Sequence, residues 1–548
     1  MRVSPSLARI TSALLSVAFS VAAACGDSPS ATPAEIVAAS TPQRPEPDRA
    51  PESEPESAAS GADDADDRLP GERLRVHDAA ELDAFSSLAA LRELDLALSE
   101  TDRIGVPATE GADPCQTLDL RRLAARLPGL RRLRISGCQA AVHAGLDSFN
   151  SLADIELVDL VLDGVTMGRL LALPALKTLR LTRVTPGSES YSMLRRLPIE
   201  RLALRELDED SQLAELFGIL RGLQAIEIDG SWAGHKTMLQ VAQADRLREL
   251  FLRDTEIRNF SLNHVKGLEH LTKVDLRGDM FNDKTPLYFR ALPLRSFTCA
   301  CANLGESGLR SLRHIKGLRE LRILSSRIVA ASDEDLGELQ ALESFTFHGS
   351  DLGADGFAAL ASIKGLRTFE LQIEPSELRD PALKGLGELR GLHSLILRSQ
   401  ELGDRITPQL KELHALEVLE LGGTSISDEC LEAVAGMPEL QRLILHHTRV
   451  TRHGLKNLAK LHKLEVLELD HTDVVDAGVA HLSGLTSLRE LRLDATLITD
   501  KALESLAPLK GLERLNIADT VITNAGLKHL RGLESLQSVN LARTRASP

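Results

Sequence analysis

The chain has 548 residues, and nearly one residue in five is leucine, whereas only 16 residues are aromatic (one Trp, two Tyr and 13 Phe). Lys and Arg number 64 against 79 Asp and Glu, which gives a net charge of −15. This balance argues against a nucleic-acid-binding surface, because phosphate contacts require clustered cations. The length alone suggests several domains, but one dominant aliphatic residue favours a single repetitive core.

Residues 1–24 have the pattern of a signal peptide. Arg2 and Arg9 precede an apolar stretch at 10–24, which is too short to cross a bilayer of about 30 Å. Three alanines followed by Cys25 resemble a bacterial lipobox. The resemblance implies that Cys25 receives a lipid and holds an outer-membrane lipoprotein at the cell envelope. Ordinary cleavage near residue 24, which would give a periplasmic or secreted protein, is the alternative.

Residues 25–72 predict a disordered tether. Between 26 and 72 the chain carries eight of its 23 prolines and 12 acidic residues against three arginines. Such a composition cannot bury enough apolar surface to offset the entropy of ordering. We interpret the segment as a solvated acidic spacer.

From residue 73 to 548 the chain repeats itself. Five consecutive units begin at leucines spaced 24 residues apart, and a truncated unit follows. These six units begin at Leu416, Leu440, Leu464, Leu488, Leu512 and Leu536. Upstream units begin at Leu91, Leu130, Leu152, Leu176, Ile199, Leu223, Leu247, Leu271, Leu294, Leu318, Leu342, Leu366 and Leu392. The pattern predicts about 19 units with an insertion near 98–116.

Each unit combines two periodicities. LxxLxL alternates as a strand with one buried face does, and ITDxGLxxLxxL has helical spacing. The ninth position often holds Thr, whose hydroxyl can satisfy backbone groups at the turn. Asp428, Asp476, Asp500 and Asn524 are positioned as helix N-caps. One unit cannot bury its apolar face alone, so stacking must create a continuous core.

The 24-residue LxxLxLxxTxITDxGLxxLxxLxx pattern resembles the leucine-rich repeat family, and it is similar to the repeats of F-box/LRR and GALA-type proteins. The resemblance implies an α/β fold, a right-handed solenoid with parallel strands on the concave face and short helices on the convex face. It says little about function, because function depends on sites rather than on folds.

The six cysteines include no CxxC pair, which excludes a zinc ribbon. Cys138 and Cys299 are predicted to point into the core. A disulfide between Cys115 and Cys138 is left open. Cys299 and Cys301 are not predicted to pair, because alternate residues of a strand lie about 7 Å apart.

The predicted concave face carries a polar group near the C-terminus. In the repeat register, His446 lies beside Asp470 and His447 beside His471, since each pair is 24 residues apart. The complete candidate binding set is His446, His447, Glu468, Asp470, His471, Arg492 and Asp494. Imidazole and carboxylate groups could bind a zinc-like ion, and clustered histidines could form a pH-sensitive protein contact. We favour an ordinary solvated polar face over both, and we predict neither a metal nor a cofactor.

These observations predict a monomeric, non-enzymatic scaffold that binds an unidentified protein or peptide on its concave face. Motifs for nucleotide-binding loops, HExxH and GxSxG are missing from the sequence. The membrane is reached only through Cys25, and no nucleic acid is expected. The alternative is a secreted effector or a substrate-recognition subunit of a ubiquitin-ligase-like assembly. It is disfavoured because the acidic tether occupies the place of an F-box.

Overall fold

The computed structural model describes residues 73–76, 91–97, 115, 118–187, 193–207, 222–301, 303–326, 336–349, 353–373 and 383–546. These all belong to the compact unit Arg68–Pro548. The predicted signal peptide, the tether, Cys25 and most of the insertion near 98–116 lie outside the described residues. Within the described ranges, none of the helices has the length and apolar character that a membrane span requires.

The strands of the described residues follow one another at the repeat interval. They are β1 (Arg73–Val76), β2 (Glu93–Leu96), β3 (Arg132–Ser136), β4 (Asp154–Val158), β5 (Val161–Leu162), β6 (Thr178–Thr182), β7 (Thr185–Pro186), β8 (Arg201–Arg205), β9 (Ala225–Asp229), β10 (Glu249–Arg253), β11 (Lys273–Arg277), β12 (Ser296–Ala300), β13 (Glu320–Ser326), β14 (Ser344–Gly349), β15 (Thr368–Ile373), β16 (Ser394–Arg398), β17 (Val418–Glu420), β18 (Arg442–Ile444), β19 (Val466–Glu468), β20 (Glu490–Arg492), β21 (Arg514–Asn516) and β22 (Ser538–Asn540).

Short helices alternate with these strands. The α-helices are Leu120–Arg126, Gln139–Gly145, Gly164–Leu171, His235–Val241, Glu306–Leu312, Gly353–Ala361, Thr407–Leu410, Cys430–Val434, Arg452–Leu455, Asp476–Val479, Asp500–Leu506 and Asn524–Leu527. The 3₁₀ helices are Leu146–Ser148, Asn259–Gly267, Thr285–Tyr288, Lys384–Glu388, Asp404–Ile406, Lys456–Lys460, Ala480–Leu482 and Lys528–Gly532.

Twenty of the strands form one parallel sheet, and β5 pairs with β7 separately. From β2 to β22, each strand of the large sheet begins at the third position of its unit, so equivalent residues pair across neighbours. Leu443, for example, lies beside Leu467. The structure is therefore an open leucine-rich repeat solenoid, which confirms the predicted fold class.

The core is a stack of equivalent aliphatic side chains. In the unit that begins at Leu440, the leucines at the first, fourth and sixth positions are all 0% exposed. Val450 and Leu455, on the return segment, are equally buried. Full burial of one such side chain stabilises the fold by about 1.5–3 kcal/mol, so a long ladder of leucines supplies most of the driving force.

In the six C-terminal repeats, the threonine at the ninth position closes the turn after the strand. Its Oγ1 donates to the carbonyl oxygen three residues earlier, at 2.6 Å in Thr424, 2.7 Å in Thr448 and 2.6 Å in Thr496. Thr472, Thr520 and Thr544 make the same bond. The predicted role of this hydroxyl is confirmed. Thr255 is an exception, because its buried Oγ1 has no hydrogen-bond partner.

The aspartates at the thirteenth position are not N-caps, contrary to the sequence prediction. Thr499 and Thr523 cap their helices, and Asp500 and Asn524 are the first helical residues. The Asp500 carboxylate accepts from the backbone N–H of Thr523 at 2.8 Å and from its hydroxyl at 2.6 Å. We call this contact between successive repeats the aspartate clamp. Asp404, Asp428 and Asp476 form it with Ser427, Thr451 and Thr499.

The structure pairs four of the cysteines. Cys115 is bonded to Cys138, a disulfide that the sequence left open. Cys299 is bonded to Cys301, so the prediction that they do not pair is wrong. The reason is that β12 ends at Ala300, and the chain bends there until the two Cα atoms are 5.3 Å apart. Cys430 is free and buried, and burial raises the pKa of its thiol to about 12.

Candidate binding site on the concave face

The predicted binding residues lie on and just after three neighbouring strands. Glu468 ends β19 and Arg492 ends β20, and these two residues pair across the sheet. His446, Asp470 and Asp494 each follow two residues after a strand, at the seventh position of their units. The structure therefore brings the sequence-predicted residues together on one patch.

The patch is less exposed than the sequence suggested. The alternation of a strand predicts that its fifth and seventh positions face solvent, yet Glu468, Asp470 and Asp494 are only 5–9% exposed. Side chains of neighbouring repeats cover them, because adjacent parallel strands lie only about 4.8 Å apart. His447 and His471 remain exposed.

Imidazoles and carboxylates form a compact group, which we call the histidine–aspartate cluster: His446, His447, Asp470, His471 and Asp494. One possible ligand atom from each of His446, His447 and Asp470 lies within 4.8 Å of the others, and Asp470, His471 and Asp494 form a second such set. The rings of His447 and His471 stack with centroids 4.1 Å apart. Nδ1 of His471 lies 3.4 Å from Oδ2 of Asp470.

A left-handed backbone turn explains why consecutive histidines can share this patch. His447 and His471 occupy the eighth position, with φ of +54° and +55°. The same conformation recurs at the eighth position of most units, and Gly423 adopts it in the preceding repeat. In extended backbone, neighbouring side chains point to opposite faces. The turn ends that alternation at the cluster.

Two arginines share the carboxylates of this patch. Arg492 lies 3.6 Å from Glu468 and 3.7 Å from each of Asp470 and Asp494. Arg442 lies 3.2 Å from Glu468. Burial raises the pKa of Glu468 more than these guanidinium groups lower it. The pKa of His447 is lowered by burial and then by His471 and His446, so its imidazole is neutral at neutral pH.

A pocket of about 420 Å³ adjoins the cluster, and we call it the concave pocket. It is lined by Gln372, Leu397, Arg398, Ser399, Gln400, Glu420, Gly422, Gly423, Ile444 and His446. It lies where the turn geometry changes, since Gly423 is left-handed whereas Ser399, at the same position of the preceding repeat, is not. The His446 ring covers Gly422, where a Cβ would lie 2.4 Å from Nε2.

The polar groups of the concave pocket are only partly satisfied. Arg398 donates to Glu370 at 2.7 Å and lies 3.7 Å from Glu420, so its charge is already compensated. The Ser399 hydroxyl is buried and lacks a hydrogen-bond partner. This pocket was not predicted from the sequence. The one signal in the sequence was the Gly422–Gly423 pair, because these two glycines lack side chains at the seventh and eighth positions of the repeat, where the following repeats carry them.

The comparisons with known proteins agree with the fold. Residues 344–548 match a family model described as a leucine-rich repeat region. No curated protein matches the chain in sequence.

Several solved structures are similar to the chain. One is an internalin, inlF, of Listeria monocytogenes, with 19% identity over 61% of this chain and 84% of that chain and a TM-score of 0.41. A leucine-rich repeat protein of Leptospira interrogans has 16% identity over 85% of this chain and 100% of that chain, with a TM-score of 0.40. TLR13 in its complex with ssRNA13 has 15% identity over 84% of this chain and 82% of that chain, with a TM-score of 0.49. At such identities the likeness concerns the fold alone.

Proposed function

We propose that this protein is a non-enzymatic scaffold that binds a protein or peptide partner on its concave face, as an exported lipoprotein anchored at the bacterial cell envelope through Cys25. The concave pocket is the observation that carries the binding part of the proposal. It combines apolar walls at Leu397 and Ile444 with hydrogen-bonding groups at Gln372, Ser399 and Gln400. Binding sites are typically concave, apolar and equipped with a few polar groups that give specificity.

The charge pattern of the pocket favours a polypeptide over a nucleic acid. Glu370 and Glu420 flank Arg398, so a phosphate would have to displace a carboxylate to reach the guanidinium group. A peptide can supply its own donors and acceptors to Ser399 and Gln400. The paired strands hold the pocket walls in place, so the scaffold loses little conformational freedom when it binds.

Site-specific photocrosslinking tests the concave pocket. A benzophenone amino acid at Gln372 should give an ultraviolet-dependent adduct with the partner in native envelopes, because Gln372 is exposed and lines the pocket. The matched control carries it at Lys411, which is exposed at the end of the helix Thr407–Leu410. Gln400→Trp should fill the pocket and abolish the adduct. Equal adducts from both positions, or no effect of Gln400→Trp, would contradict binding in this pocket.

Export and anchoring rest on the sequence signals at 1–24 and Cys25. The Cys115–Cys138 disulfide supports them, because structural disulfides persist mainly in oxidising compartments. Labelling cells with a radioactive fatty acid should mark the wild-type chain and leave Cys25→Ala unlabelled. Equal labelling of both chains would refute lipidation at Cys25.

A further inference from the structure

The histidine–aspartate cluster contains ligand types that transition metals prefer. His446, His447 and Asp470 offer two imidazole nitrogens and one carboxylate oxygen within 4.8 Å of one another. Ligand atoms of a tetrahedral zinc site lie about 3.3 Å apart, so side-chain rotations that bring these atoms closer by up to about 1.5 Å would complete the geometry. Two imidazoles with one carboxylate suit Zn²⁺ rather than Mg²⁺ or Ca²⁺, which take oxygen ligands.

The carboxylate of Asp470 is unusual within this patch. Asp470 is 5% exposed, and its Oδ1 accepts no hydrogen bond. The nearest cation on that side, Nε of Arg492, lies 3.7 Å away and is itself without an acceptor. A buried carboxylate oxygen without a donor costs about 1–3 kcal/mol or more, so a ligand that supplies positive charge there is favoured.

The net charge of the carboxylates and guanidinium groups around Asp470 also favours a bound cation. Glu468, Asp470 and Asp494 are three carboxylates, and Arg442 and Arg492 are the two guanidinium groups that contact them. At least one negative charge is therefore uncompensated when all five groups are ionised, because Arg442 also lies 3.7 Å from Glu420. A divalent ion next to Asp470 would reverse that imbalance, and the carboxylates would hold it electrostatically.

The two imidazoles can turn toward Asp470, and when His447 does so it gives up its stack on the ring of His471, whose centroid lies 4.1 Å away. In the described part of the chain, the side chains of His446 and His447 make no hydrogen bond, and His446 lies over Gly422, which has no side chain to obstruct it. The left-handed turn at His447 places its ring on the same side as that of His446, with centroids 5.6 Å apart.

We propose that His446, His447 and Asp470 bind one divalent transition-metal ion such as Zn²⁺, with a fourth coordination position open to solvent. The exposed edge of His447 places that open position on the concave face, where a water molecule would occupy it. His446 also lines the concave pocket, but metal binding is measured without any partner and peptide binding without added metal, so either proposal can fail without the other.

Calorimetric titration of the purified full chain with ZnCl₂ at about pH 7.5, where imidazole is neutral, tests the site. We expect one ion per chain with a dissociation constant in the micromolar range or lower. Asp470→Asn preserves the shape of the side chain, and His447→Gly removes an imidazole at a position where glycine is conformationally favoured. Each should weaken binding by at least about 100-fold, because each removes a direct ligand.

Two further variants serve as controls. His462→Ala removes an exposed imidazole from the same repeat and should leave the affinity unchanged. His471→Ala removes a neighbour and should weaken binding less than His447→Gly does. Substitution with Co²⁺ should give the visible absorption of a tetrahedral nitrogen–oxygen site in the wild type. Absence of saturable binding, equal loss in His462→Ala, or a larger loss in His471→Ala than in His447→Gly would overturn the proposed ligand set.

Discussion

The aspartate clamp gives the sharpest prediction about stability. In Asp500→Ala, the backbone N–H and the hydroxyl of Thr523 lose acceptors at 2.8 and 2.6 Å. Hydrogen bonds to charged groups contribute about 1.5–3 kcal/mol when they are well protected. Because Asp500 and Thr523 are half-exposed, water replaces part of the loss. We expect the free energy of unfolding to fall by about 1–2 kcal/mol.

Urea denaturation measures this change, and hydrogen exchange followed by mass spectrometry locates it. Protection should fall at the backbone amides of the repeat that begins at Leu512, because stacked repeats are stabilised mainly by their neighbours. Asp473→Ala removes an exposed carboxylate outside the clamp and serves as the control. A loss below about 0.5 kcal/mol, or a loss equal to that of the control, would show that the clamp does not stabilise the stack.

The clamp also predicts a pH dependence. Burial alone would raise the pKa of Asp500, but hydrogen bonds from Thr523 and Gly526 outweigh it, and the pKa lies below its usual value of 3.8. A carboxyl group whose pKa is lower in the folded state than in the unfolded state stabilises the fold at pH values above its unfolded-state pKa. That stabilisation is lost as the pH falls through its folded-state pKa. The stability difference between wild type and Asp500→Ala should therefore shrink below about pH 4.

Three other perturbations have defined outcomes. One repeat carries Arg452 in place of the clamp aspartate, and the next repeat carries Val475 in place of its threonine partner. Arg452→Asp combined with Val475→Thr should therefore install the missing clamp and raise the free energy of unfolding in urea by about 1 kcal/mol. No gain in stability would contradict the pairing. Since burial and two neighbouring imidazoles hold the pKa of His447 below 6.5, thermal stability should fall as the pH drops through 6.5, and the fall should be smaller in His447→Gly. Cys115→Ser opens a loop of 23 residues closed by Cys138, which should cost about 3 kcal/mol in urea unfolding under oxidising conditions, whereas an unchanged midpoint would show that the bond does not form.

The periodic part of the fold could be predicted from the sequence because every repeat buries leucines at the same positions against its neighbours. Leu440 and Leu443 are buried for the same reason as their equivalents in every other repeat, so the leucine spacing contains that information. The clamp could not be read in this way. Asp500 follows Thr499 directly, and either residue can cap a helix. Only the position of the next repeat shows that Thr499 caps while Asp500 reaches across to Thr523.

The candidate site was only half predictable. The 24-residue spacing placed His447 beside His471 correctly, since equivalent residues of neighbouring repeats must be adjacent. The burial of Asp470 depends on the volume of side chains in adjacent repeats, and a strand pattern does not contain that volume. The concave pocket was missed because it is formed where side chains are lacking, at Gly422 and Gly423, rather than by a recognisable residue type.

The left-handed eighth position of the repeats also provides a molecular ruler. Ala495, Asp519 and Arg543 adopt this conformation in successive repeats, one strand spacing apart. Adjacent strands are separated by about 4.8 Å, so a spin label or fluorophore moved from one of these residues to the next advances by that step along the concave face. The substituted side chain lies outside the leucine core in every case. A series of labels at these positions would therefore measure the length of the concave face that a bound partner covers, in increments fixed by the backbone itself.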